Sequence, residues 1–258
     1  MFVDRVEAGR RLAEKLEHLR GQDVVVLGLP RGGVPVAFEV ARALGAPLDV
    51  IVVGKLGVPF QPEVGMGAIG EGGVSIVDSR TCQLAGVTSA ELTAVERRER
   101  DELERRTMRF RDGRSRLSLA DRTAVIVDDG IATGSTARVA CLVARALGAS
   151  RVVLAVPVAP ACALVELAEG VDEVVCLETP PMFFAVGGCY AHFTQTSDDE
   201  VVALLAQAAG EEAAPCLRAR QRQQPSQPPQ PAGPRIGCSI SSCCSSRKVG
   251  REVRSSER

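Results

Sequence analysis

Two adjacent carboxylates, Asp128 and Asp129, close an apolar run and open a turn of small and hydroxyl residues: V-I-V-D-D-G-I-A-T-G-S-T over residues 125–136. Val125, Ile126 and Val127 read as a buried strand. An apolar helical pattern then runs from Ser135 to Leu147. A strand, a short turn and a helix start aim backbone N–H groups and a helix N-terminus at one point, which suits a phosphate. Thr133, Ser135 and Thr136 add hydroxyl donors there. The carboxylates repel a phosphate but can accept hydrogen bonds from paired sugar hydroxyls beside it. The bland alternative is an ordinary βα turn with an Asp-Gly corner and a Ser/Thr helix cap. The turn lacks the Lys of a nucleoside-triphosphate loop, and no G-x-G-x-x-G follows a strand.

A second constellation is Leu29-Pro30-Arg31-Gly32-Gly33-Val34-Pro35, just after the apolar run Val24–Leu27. A guanidinium can fork onto anion oxygens, and two glycines let backbone amides come close. A Pro-Gly turn with a surface Arg is the competing reading. Lys55 stands just past the next strand, at the end of an open α/β sheet where ligands bind. It reads equally as a phosphate-neutralising cation or as a solvated loop Lys.

The acid pair and its T-G-S-T loop resemble the phosphoribosyl-pyrophosphate (PRPP) signature of the type I phosphoribosyltransferases. Arg31-Gly32-Gly33 looks like that family's pyrophosphate loop, in which a cis non-proline peptide is frequent. The N-terminal Asp4-Arg5, the K-L-G-x-P segment from Lys55 and P-x-x-F-x-A-V-G-x-x-Y-x-x-F over residues 180–193 are similar to one bacterial branch, so the likeness spans about 4–205.

The resemblance implies an α/β fold, a mostly parallel open sheet with flanking helices, under a flap and a C-terminal hood. It implies PRPP binding by Asp128, Asp129, Gly130, Ala132, Thr133, Gly134, Ser135 and Thr136. Pyrophosphate would be held by Arg31, Gly32, Gly33 and Lys55. Asp129 and Arg31 would be the catalytic residues, and Mg²⁺ would be bound through substrate and water near Asp128 and Asp129. The implied activity is transfer of a 5-phosphoribosyl group to a nitrogenous acceptor, a nucleobase for preference. Rival activities on the same fold are a non-catalytic PRPP or nucleotide sensor and a phosphosugar hydrolase. A homodimer is usual in the family.

The elements that must position these groups follow in order. Asp4 caps a helix reaching about Leu19, with Val6, Leu12, Leu16 and Leu19 on one side. Helices are expected over 36–44, 135–147, 160–169 and 200–209, and strands over 24–27, 48–53, 123–127, 151–157 and 174–177. This alternation predicts right-handed βαβ units. Between the second and third core strands, 56–116 reads as a flap or insertion. It holds a hairpin (66–69 with 74–77) and a charged helix from Ser89 to Arg111, with Glu96/Arg100 and Glu102/Arg106 at i,i+4 spacing. A flap over PRPP would exclude water from a ribosyl cation-like centre. Residues 179–209 form the hood and last helix. They hold four of eight aromatics, Phe183, Phe184, Tyr190 and Phe193. These read as anchors of a closing segment, with Phe183 or Phe184 as the sharper candidates for stacking on an acceptor ring.

Composition bounds the rest. Of 258 residues, 45% are hydrophobic but only 3% aromatic, so Val, Ala and Leu build the core. Residues 1–210 carry 22 Lys+Arg against 28 Asp+Glu, and 211–258 carry 9 against 4. The acidic main part argues against a nucleic-acid partner. Nine cysteines form no C-x-x-C, which argues for buried thiols in a reducing, cytoplasmic setting rather than zinc. No apolar run is long enough to span a membrane, and the N-terminus lacks a signal-peptide pattern. The Gln/Pro/Ser/Arg-rich segment 210–258 reads as a disordered tail.

Overall fold

A computed structural model describes residues 1–222, with side chains to residue 210. The predicted disordered tail lies for the most part outside the described residues. Five strands, β1 (Val24–Gly28), β2 (Leu48–Val50), β6 (Thr123–Val127), β7 (Arg151–Val158) and β8 (Glu173–Glu178), form a parallel sheet in the order β2-β1-β6-β7-β8. The two central strands pair in register, Val24 with Thr123 through Gly28 with Val127. Both strands thus end at the same edge, and the Arg31 loop lies beside the acid pair.

Alternation along the strands explains the two-faced core. Val24, Val26, Val125, Val127, Val153 and Ala155 face one side, packed with α1 (Arg5–Lys15), α2 (Gly33–Leu44) and α7 (Asp198–Arg222). Val25, Leu27, Ala124, Ile126, Val152 and Leu154 face the other, under α5 (Ser135–Ala146) and α6 (Ala161–Ala168). Both faces are covered, so these strands are continuously apolar rather than alternating.

The excursion between β2 and β6 is more built than the sequence reading allows. β3 (Val53–Val58), β4 (Gln61–Gly70) and β5 (Ser75–Val77) form a separate antiparallel sheet, followed by α3 (Ser79–Leu84) and α4 (Ser89–Arg111). The hairpin joins 67–69 to 75–77, as expected. The run 48–53 is divided: it leaves the main sheet after Val50 and enters the small one at Val53. Periodicity does not show such a change of sheet. The Thr88–Glu91 capping box starts α4. Leu56, Met66, Ile69, Val95, Leu103 and Phe110 join the core of the main sheet. The i,i+4 pairing differs from expectation: Glu102 pairs with Arg105, and Glu96 accepts from the Ser75 hydroxyl at 2.5 Å.

A buried ion cluster fastens this excursion to the main sheet. Arg111, the last residue of α4, donates to Asp49 (2.8 Å), to Glu71 (2.6 Å) and to the Val50 carbonyl (2.9 Å). Asp49 also accepts from the amides of Val50 and Leu117, and Glu71 from that of Val52. Burial opposes the Arg111 charge, but the Glu71 and Asp49 carboxylates outweigh it and hold the guanidinium above its ordinary value.

The N-terminus is tied to the hood. The Phe2 amide donates to the Cys189 carbonyl (2.8 Å), and the Ala191 amide to the Phe2 carbonyl (2.8 Å). The Phe2 and Tyr190 ring centroids lie 5.4 Å apart, and those of Tyr190 and Phe193 5.1 Å.

Candidate active site

The phosphate-binding turn sits where β6 hands over to α5. Gly134 adopts a left-handed conformation (φ +77°) just before the helix, which a Cβ would strain. Ala132, Thr133, Ser135 and Thr136 are exposed, whereas Gly130, Ile131 and Gly134 are buried. The Ile131 amide is used by the Val158 carbonyl at 2.8 Å. Among the described residues, the amides of Ala132, Thr133 and Gly134 make no backbone–backbone hydrogen bond. Those of Ser135, Thr136 and Ala137 open the helix, where no intrahelical carbonyl precedes them. Unspent donors therefore converge on one exposed turn, with the Thr133 and Ser135 hydroxyls 3.2 Å apart beside them. Ser135 and Thr136 line a cavity of about 400 Å³, together with Pro30, Lys55, Gly65 and Arg106.

The Arg31 loop meets the acid pair at van der Waals distance. A Cβ on Gly33 would lie 2.8 Å from the Asp128 Cα, and one on Gly32 would overlap the Asp129 carboxylate. Both glycines are thus required by close approach. The Pro30–Arg31 peptide is cis.

The two carboxylates are held differently. Arg5, on the first turn of α1, reaches Asp129 Oδ2 at 2.8 Å, donates to the Thr194 carbonyl at 2.6 Å and lies 4.0 Å above the Phe193 ring. The Tyr190 hydroxyl donates to the Asp129 carbonyl oxygen at 2.5 Å. Among the described residues no ion pair reaches Asp128, which accepts from the Asp129 amide at 2.9 Å. Burial, and then the neighbouring Asp129 charge, push the Asp128 carboxyl well above the usual carboxylate range. Asp129 is raised by burial too, with Arg5 pulling it back.

Asp128, Asp129, Gly32, Gly33 and the 130–136 loop therefore come together as expected. Lys55 lines the cavity beside Ser135 and Thr136, with its ammonium on the Glu63 carbonyl at 2.9 Å. Arg31 points elsewhere: it lines a neighbouring cavity and lies 3.5 Å from Asp198. Phe183 packs on the Phe2–Tyr190 cluster and Phe184 is 92% exposed; neither lines the phosphate-loop cavity. Site residues that sequence reasoning did not single out are Arg5 and Arg106. Arg5 stood in the Asp4-Arg5 motif, but only tertiary contact shows its reach to Asp129.

Residues 4–194 match the family model described as the phosphoribosyl transferase domain. The chain belongs to the phosphoribosyl transferase domain family. A Mycobacterium tuberculosis H37Rv protein, provisionally named a phosphoribosyl transferase, is 61% identical over 205 residues, covering 80% of this chain and 46% of that protein. The chain spans about half the length of the curated relatives it matches. The crystal structure of TT1426 from Thermus thermophilus is similar, with TM-score 0.72 and 43% identity over 80% of this chain and 98% of that one. No helix among the described residues is long and apolar enough to cross a membrane. Five described cysteines are free, and burial pushes the Cys141 thiol of this phosphoribosyl transferase domain up to about 12, away from thiolate chemistry.

Proposed function

We propose that this chain is a PRPP-dependent phosphoribosyltransferase that transfers the 5-phosphoribosyl group to a nitrogenous acceptor, a nucleobase for preference. One observation carries the reading. The exposed, unspent amides of the 132–136 turn lie next to a carboxylate pair, which the Gly32-Gly33 backbone touches. Such a site presents donors for a 5′-phosphate, acceptors for a sugar diol and amides for a diphosphate within one reach.

In this reading the Ala132–Thr136 loop binds the 5′-phosphate, and Asp128 and Asp129 accept from the ribose hydroxyls. Gly32, Gly33, Arg31 and Lys55 face the diphosphate. Departure of diphosphate leaves positive charge at the sugar carbon, and the work of the protein is positional and electrostatic. Asp129, fixed by Arg5, is the acceptor for any proton released by the incoming nitrogen. No three His, Cys, Asp or Glu side chains assemble among the described residues. The residues therefore fit a Mg²⁺ that arrives on the diphosphate, with Asp128 and Asp129 nearby, rather than one held in a protein cage. When bound, Mg²⁺ neutralises diphosphate charge. A cytoplasmic setting and a homodimer belong to the same reading.

The test is diphosphate release from PRPP with Mg²⁺ against a panel of purine, pyrimidine and other nitrogenous acceptors. Release that depends on one acceptor supports the transferase and names its substrate. Release without acceptor turns the reading to a hydrolase, and PRPP binding with silence across the panel turns it to a sensor.

A further inference from the structure

The residues grouped as a diphosphate site fall into two adjoining cavities that share Pro30 and Arg106. Lys55 lies in one and Arg31 in the other. The second cavity, about 470 Å³, sets Arg31 opposite three guanidiniums of α4, those of Arg105, Arg106 and Arg109. Among the described residues, only two carboxylates, Glu102 and Asp198, line it with them. Glu102 is taken by Arg105. Asp198 stands between the two ends of the cleft: Oδ1 is 3.5 Å from Arg31 and Oδ2 is 3.2 Å from Arg109. Arg109 also reaches Asp199 at 3.3 Å.

We propose that the Arg31–Arg109 cleft is a binding site for a diphosphate group, and that Asp198 is an internal carboxylate which the diphosphate displaces. The identity of the donor that carries the diphosphate rests on the PRPP reading; the cleft itself does not. Four physical points favour it. One carboxylate brings a single charge to two guanidiniums, and a diphosphate brings several oxygens to all four. Guanidinium forks match phosphate oxygens in pairs. The Arg31 and Arg109 side chains are 41% and 58% exposed, so their bridges to Asp198 are weak and easily exchanged. Finally, the buried Arg111 cluster fixes the end of α4, so Arg109 is presented by an anchored element and not by a loose loop.

The experiment is titration calorimetry on the full chain with sodium diphosphate and Mg²⁺, and separately with PRPP and Mg²⁺. Four proteins are compared: wild type, Arg109→Gln, Asp198→Asn and the double variant Asp128→Asn/Asp129→Asn. Arg109→Gln should weaken diphosphate on the order of tenfold, the loss of one charge-assisted contact. Asp198→Asn should tighten it several-fold. Local damage weakens binding in both variants, so opposite signs identify displacement. Asp198→Ser, which retains a helix-capping side chain, serves if Asp198→Asn is unstable by thermal melting. The acid-pair variant should keep diphosphate and lose PRPP. Competition between diphosphate and PRPP assigns the cleft to the donor's own leaving group; simultaneous binding assigns it to a free diphosphate. If PRPP fails to bind while diphosphate shows the two opposite signs, the donor reading falls and the cleft stands. The proposal is overturned if wild type takes no diphosphate, if both variants leave its affinity unchanged, or if Asp198→Asn and Asp198→Ser weaken it.

Discussion

Two buried acidic clusters lie in this molecule, each with two carboxylates and one arginine, and they are built to opposite ends. In the cluster of Asp49, Glu71 and Arg111, the guanidinium contacts both carboxylates, and backbone amides take up remaining oxygens. In the cluster of Asp128, Asp129 and Arg5, the guanidinium reaches Asp129 alone. Asp128 is left buried beside a like charge. The first joins the excursion to the main sheet and offers a ligand nothing. The second keeps acceptor capacity at the mouth of the phosphate loop, at a cost in stability. Burying a carboxylate is therefore no sign of function by itself; what separates the two is whether the partners are complete.

The sharpest break in this comparison is Arg111→Met. It leaves two buried carboxylates without their cation and should cost about 3–5 kcal/mol in urea unfolding. Adding Asp49→Asn and Glu71→Gln should return much of that loss. The matching change in the other cluster, Asp128→Asn/Asp129→Asn, should abolish PRPP binding by calorimetry, a loss of about 3 kcal/mol or more from two charge-assisted hydrogen bonds. PRPP binding that survives it would remove the acid pair from the site. Gly32→Ala puts a methyl group against the Asp129 carboxylate and should weaken PRPP by about 1–3 kcal/mol, with the Arg111 cluster left intact.

The pH dependence of stability sharpens the contrast. Asp128 holds its proton in the folded protein above the pH, about 3.9, at which an unfolded Asp releases it. Its contribution is complete below that value and is lost as pH rises through the raised folded value, at up to about 1.4 kcal/mol per pH unit. Asp128→Asn should flatten that decline and make the protein more stable at neutral pH even as PRPP binding is lost; an unaltered decline would contradict the burial argument. Tyr190→Phe removes only the hydrogen bond to the Asp129 carbonyl and should cost about 1 kcal/mol in unfolding.

Much of this was legible in the sequence, for identifiable reasons. Val24–Gly28, Thr123–Val127 and Arg151–Val158 are covered on both faces, and their unbroken apolar runs advertise it. The Gly32 and Gly33 positions, the acid pair and the 130–136 turn each sit in a short contiguous motif, so their local chemistry travels with it. The small sheet of β3, β4 and β5 was less legible, because Gly-rich strands such as 53–58 carry little periodic signal. The aromatic hood was legible as an anchor through Tyr190 and Phe193, whose rings stack with Phe2 and under Arg5. That same run gave no means of telling the packed Phe183 from the exposed Phe184.

The sequence by itself determined the parallel α/β core and the phosphate-loop chemistry, because both depend on contiguous residues and short-range periodicity. Only the tertiary structure decided which arginine serves which carboxylate. Arg5, Arg31, Arg109 and Arg111 look alike in the chain, each a long cation near a helix end. Their roles follow from partners brought close by the parallel register of β1 and β6, by the pairing of Phe2 with the hood, and by the packing of α4 against α7. Coulomb attraction and desolvation act over a few ångströms, a distance that sequence separation does not encode.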